Sequence, residues 1–204
     1  FIDPYTKNKE SYLVYKKTAL PAPEEAFICK FDDFNSKANL TTTNLSLKDD
    51  NADDGVLRTF RLAVATTGEY SQFHLNYQGI DVLETDEVKK AAVLSAIVTT
   101  MTRVNGIFER DVALNMVLVA NNKDIIFLDG DLDSFTNDDA EKLIDESQNV
   151  IDATIGTENY DIGHTFSSGG GGLAQLNSPC TQNGKARGIT GSGNPVGDAY
   201  DIDY

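Results

Sequence analysis

Histidine is scarce in this chain. Its 204 residues include two, His74 and His164, which stand 90 positions apart. A catalytic zinc normally takes three protein ligands, and two histidines that share a helix face sit at i and i+4. No H-E-x-x-H occurs anywhere in the sequence, so these residues alone do not build a helix-borne zinc site. Cysteine is equally thin, with Cys29 and Cys180. Two such residues define no redox compartment, and leave mutual pairing, a free thiol or an outside partner all open. Basic residues are outnumbered: 17 Lys and Arg face 32 Asp and Glu, for a net charge of −15. That surface repels phosphate and excludes nucleic acid as a partner, while it suits an extracellular protein and calcium binding. No uninterrupted apolar run reaches the about 18–20 residues that a bilayer-spanning helix requires. The longest, Ala91-Ala-Val-Leu-Ser-Ala-Ile-Val98, reads as the buried face of a helix, so no membrane insertion is expected. Phe1-Ile-Asp-Pro4 lacks the basic and apolar regions of a signal peptide, which predicts a first residue cut from within a longer precursor.

The residues that are present divide the chain in two. Ser11-Tyr-Leu-Val-Tyr-Lys-Lys17 has strand composition, and Pro21-Ala-Pro-Glu-Glu25 marks a turn. Residues 35–55 are polar and poor in large apolar groups, as a flexible, cleavable connector would be. Residues 1–56 are therefore expected to be a pro-segment tail and linker, and 57–204 a compact domain. Within the domain, Thr59 to Ala65 alternates as a strand, and Asp86 to Arg110 carries apolar residues at helical spacing. Strands are predicted over Val112–Ala120 and Ile125–Leu128, then a helix over Asp138–Ile155, then strands over Tyr160–Phe166 and Gly171–Leu176. The order β-α-β-β-α-β-β fits a twisted, mostly parallel sheet with one antiparallel edge strand. Gly197-Asp198 followed by Asp201 and Asp203 has the marks of a helix start, one expected to continue past Tyr204.

Three local patterns need weighing. Gly169-Gly-Gly-Gly172 could cradle a phosphate only with a helix directly after it, and Leu173-Ala-Gln-Leu176 looks extended instead. A tight reversal into an edge strand that pairs with an extended peptide is the better functional reading; an ordinary hairpin is the plain one. Asp129-Gly-Asp-Leu-Asp133 matches a calcium loop at three acidic positions, but Ser134 and Ala140 replace the required glycine and glutamate. Asp129, Asp131 and Asp133 are thus candidate ligands of an irregular calcium site, or a solvated loop whose Asn137-Asp-Asp139 caps the next helix. His164 shares a strand face with Tyr160, Ile162 and Phe166, which makes it a core residue, and His74 is read as structural too.

Several blocks, taken in order, resemble one family. They are Leu57-Arg-Thr-Phe-Arg-Leu-Ala-Val-Ala-Thr-Thr-Gly-Glu-Tyr70, Thr100-Met-Thr-Arg-Val-Asn-Gly-Ile-Phe-Glu-Arg110 and Met116-Val-Leu-Val-Ala-Asn-Asn122. Tyr160-Asp-Ile-Gly-His-Thr-Phe166, the glycine run, Lys185-Ala-Arg-Gly-Ile-Thr-Gly191 and Asp201-Ile-Asp-Tyr204 continue the series. Together they resemble reprolysin-like zinc metallopeptidases, a metzincin family, in their secreted bacterial form. The resemblance implies an α+β fold: a metzincin (zincin-like) N-terminal subdomain with two long helices, preceded by a pro-segment. It implies a zymogen of a secreted zinc metalloendopeptidase that hydrolyses peptide bonds, truncated here before the H-E-x-x-H helix. This chain is then expected to bind no zinc, to have no catalytic residue of its own and to be inactive alone.

The same resemblance assigns roles. Gly172, Leu173 and Ala174 would form the strand that holds the substrate peptide. Cys180 would pair with a cysteine beyond the zinc helix. Cys29 is a candidate cysteine switch, since thiolate is a good zinc ligand and displaces the catalytic water; the plain alternative is a small buried hydrophobe. The expected partner is a peptide or protein substrate, and apolar surface exposed by truncation predicts a dimer. The competing class is a non-enzymatic peptide-binding or adhesion module on the same fold.

Overall fold

The computed structural model describes residues 55–169, 171–197 and 200–201, together with the strand pairings of residues 2–4, 12–14 and 29–30. Residues 35–54 of the connector expected over 35–55, and the capping residue Asp198, lie outside the described residues. The first two strands, β1 (Ile2–Pro4) and β2 (Tyr12–Val14), form a separate antiparallel pair. The main sheet has six strands. They are β3 (Cys29–Lys30), β4 (Arg58–Thr66), β5 (Leu114–Leu118), β6 (Ile162–Ser167), β7 (Gly172–Ala174) and β8 (Gly188–Gly191), in the spatial order β3-β7-β8-β6-β4-β5. Strands β5, β4, β6 and β8 run parallel and β7 runs antiparallel to β8, as expected, but β7 is not the edge: β3 pairs parallel along its outer side.

Strand β4 explains the layering. Its side chains alternate, so Ala63 and Ala65 join one core while Leu62 and Val64 join another on the opposite face. Helix α3 (Ala140–Ile155) covers the first face with Leu143, Ile144, Ile151 and Ile155, and helices α1 (Gly68–Gln78) and α2 (Asp86–Val112) cover the second. Burial of each such aliphatic side chain contributes about 1.5–3 kcal/mol, which is why both periods were visible in the sequence. Helix α2 is long and apolar enough to cross a bilayer by length and composition; here Val93, Ile97 and Met101 bury its inner face against the sheet.

Several elements differ from expectation, two of them next to β4. The strand predicted over Ile125–Leu128 is a 3-10 turn at Asn122–Ile125 followed by a single parallel bridge between Thr66 and Ile126. The buried Asn122 side chain takes the pairing role instead: its Oδ1 accepts from Val64 N at 2.8 Å and its Nδ2 donates to Val64 O at 2.9 Å. Helix α1 was not anticipated. Thr67 caps it by accepting from Tyr70 N, and Gly79 ends it in the left-handed conformation, φ 69°. Its start passes so close to the acidic loop that a Cβ on Gly68 would lie 2.1 Å from Gly130 N.

Candidate functional site: the glycine turn and the sheet edge

The sheet edge is built from β6 onward. Asp161 starts it, clamped by Arg61 on β4 through Nη2–Oδ1 at 2.7 Å and Nε–Oδ2 at 3.1 Å, which holds the Asp161 carboxyl below its ordinary range. At its far end β6 runs through Ser167 into the glycine turn. Ser167 Oγ donates to Gly169 O at 2.5 Å, Gly191 N donates to Gly171 O at 2.7 Å, and Gly171 sits at φ 70°. The reversal needs glycine for that angle and for space, since a Cβ on Gly191 would stand 1.7 Å from Gly169 O.

The chain then leaves as β7. Gly172, Leu173 and Ala174 pair with Thr190, Ile189 and Gly188 of β8. Leu173 is buried in the α3-side core and Ala174 is exposed. Of the three expected substrate residues, Leu173 therefore anchors the strand through its side chain, and what the strand offers a peptide is its main chain. The outer edge of β7 carries β3, running parallel, with Cys29 opposite Gly172 and Lys30 opposite Leu173. A two-residue strand is too short for periodicity to reveal, so the sequence held no signal for this pairing.

The remaining sequence candidates fall elsewhere. Cys180 is free and exposed, at φ 61°, with its N–H on Asp161 O. Asp129 and Asp133 hold the loop in place: Asp129 Oδ1 accepts from Asp131 N, and Asp133 accepts from Phe135 N and from Gly68 N at the start of α1. Partial burial raises the Asp133 pKa, with Glu69 and Glu146 adding repulsion. Asp139 does cap α3, accepting from Lys142 N. His164 is held by the sheet, with Nε2 2.9 Å from Thr190 Oγ1 and its ring edge-on to Phe166 at 5.5 Å. Burial lowers its pKa to about 4. His74 on α1 is 4% exposed and packs against Tyr70 at 4.5 Å; burial lowers its pKa to about 4 against an opposing pull from the Pro195 main chain.

One buried polar contact escaped the sequence. Asp201, 6% exposed, accepts from Thr100 Oγ1 at 2.7 Å and faces Arg103 Nε at 3.7 Å, which ties the helical residues at the end of the chain to α2. A cavity of about 400 Å3 lies beside it, bounded by His74 and Gln78 of α1, Ser95 and Thr99 of α2, and Pro195. Among the described residues, no three His, Cys, Asp or Glu side chains come together to hold a metal ion.

Residues 94–204, more than half of the chain and including β6, β7 and β8, match the family model of metallo-peptidase family M12B, reprolysin-like. The chain belongs to this family. A comparison with curated proteins finds no match. The mostly parallel sheet with its antiparallel β7 is the scaffold of a reprolysin-like metallopeptidase domain.

Proposed function

We propose that this chain is part of a secreted zinc-dependent metalloendopeptidase, in which β7 holds the peptide main chain and the segment around Cys29 covers β7 before activation. The pairing of β3 with β7 carries the reading, because it places an extended peptide segment on the strand that the family resemblance assigns to substrate. Main-chain pairing at a sheet edge supplies affinity with little regard to side-chain identity, and neighbouring pockets supply selectivity. The acidic net charge of −15 supports an extracellular setting.

Strand pairing at residues 29 and 30 uses main-chain groups and does not require the thiol. A peptide of residues 1–56 is therefore expected to slow cleavage by the mature enzyme. Cys29→Ala is expected to weaken that inhibition without removing it. No slowing by the wild-type peptide would overturn the pro-segment role. Complete loss with Cys29→Ala would assign the inhibition to the thiol alone.

A further inference from the structure

The glycine turn poses a physical problem. Residues 169–172 carry no side chains with which to hold themselves, and glycine loses more conformational freedom on ordering than any other residue. Yet these residues set the position of β7. Whatever fixes the turn must reach it from outside.

Asn137 does so. It lies at the end of the acidic loop, after Asp133 has anchored that loop to the N-terminus of α1 through Gly68 N at 2.7 Å. Its Oδ1 accepts from Thr67 Oγ1 at 2.9 Å, from Ser168 N at 3.0 Å and from Ser168 Oγ at 3.3 Å. Its Nδ2 lies 3.1 Å from the same hydroxyl and 2.8 Å from Asp138 Oδ1. Thr67 is itself tied to the sheet, since its N–H donates to Phe166 O at 3.0 Å. One amide side chain thus joins the cap of α1 to the last residue before the glycines. Asp138 lies over the next residue, where a Cβ on Gly169 would stand 2.0 Å from Asp138 Oδ1. The turn is seated between the Asn137–Asp138 pair on one side and Gly191 on the other.

We infer that Asn137 is a positioning residue for peptide binding, which holds the Ser168–Gly172 turn and thereby sets the substrate edge β7. This rests on β7 being the substrate strand. The acidic loop, read in the sequence for calcium, then acts as the arm that presents Asn137.

The test joins two readouts on Asn137→Ala and Asn137→Asp. In this chain, amide hydrogen exchange at Gly171–Leu173 should speed up by about 5–30-fold in Asn137→Ala, while α3 amides keep their rates. In the complete peptidase the same variant should raise KM for a peptide by a similar factor, with kcat within about twofold. Asn137→Asp keeps an acceptor toward Thr67 and Ser168 but replaces the amide that donates to Asp138 Oδ1 with a carboxylate oxygen, so it should be impaired in both readouts as well. Unchanged exchange at Gly171–Leu173, uniform acceleration through α3, an unmoved KM, or an Asp variant at wild-type level in both readouts would each overturn the inference. If the wild-type complete protein cleaves no peptide, the peptidase proposal fails by itself, and the exchange result alone then decides whether Asn137 holds the turn.

Discussion

Alanine at Gly191 is expected to destabilise the protein by about 3 kcal/mol and to disable the substrate edge. A Cβ there would stand 1.7 Å from Gly169 O, 2.4 Å from Ser167 Oγ and 2.7 Å from Gly169 C. Two of these atoms are main chain, so no rotamer change relieves the contact. Overpacking a well-filled site typically costs about 1–3 kcal/mol, and a main-chain obstacle belongs at the upper end of that range. The backbone must move, and the segment able to move is the glycine turn, because β8 is held by β6 on one side and β7 on the other. The Gly191 N–H to Gly171 O bond would be lost with it. For a domain of this size, about 3 kcal/mol lowers Tm by about 6–12 °C. Calorimetry checks the size of the effect. A Tm within about 2 °C of wild type would show that the turn and β8 do not meet as closely as described.

The second large effect is on acid stability. Burial lowers the pKa of both histidines to about 4, while an unfolded histidine titrates near 6.5. Between those values the unfolded chain binds protons that the folded chain refuses. Stability is therefore complete above about pH 6.5, falls as pH drops towards 4, and has lost about 3 kcal/mol per histidine at the lower limit. The Asp161 carboxyl, held low by Arg61, adds its loss only below the ordinary carboxylate range. The raised Asp133 pKa acts in the opposite direction near that range. The window from about 6.5 to 4 thus belongs to the histidines. Denaturant unfolding at pH 7, 5.5 and 4.5 should show the decline, and a His74→Gln, His164→Asn double variant should flatten it. Equal stability of the wild type at all three pH values would contradict the burial assigned to the two rings.

How much of this was legible follows from the kind of signal each element carries. Helices α2 and α3 and strands β4 and β6 bury regular apolar stripes, and their periods stood out to within a few residues. Helix α1 has a polar composition around Tyr70, His74 and Leu75, so its caps at Thr67 and Gly79 were the available clue. Strand β8 is four residues long with glycine at both ends, and Ile189 alone gives too little pattern to name a strand. The glycine run correctly marked a reversal into an extended strand, but β7 is the second strand of the sheet because β3 pairs along its outer side. The hold on that turn stayed hidden, because Asn137 and Ser168 are 31 residues apart and meet only in the fold. The acidic loop drew attention through its carboxylates, whereas its amide makes the contacts that place β7.

The most direct test of the proposed zinc peptidase is zinc content measured alongside peptide cleavage. This chain would be compared with a polypeptide continued past Tyr204. The expected result is stoichiometric zinc and chelator-sensitive cleavage in the longer polypeptide alone. Zinc-dependent cleavage by this chain by itself, or no zinc in either polypeptide, would contradict it.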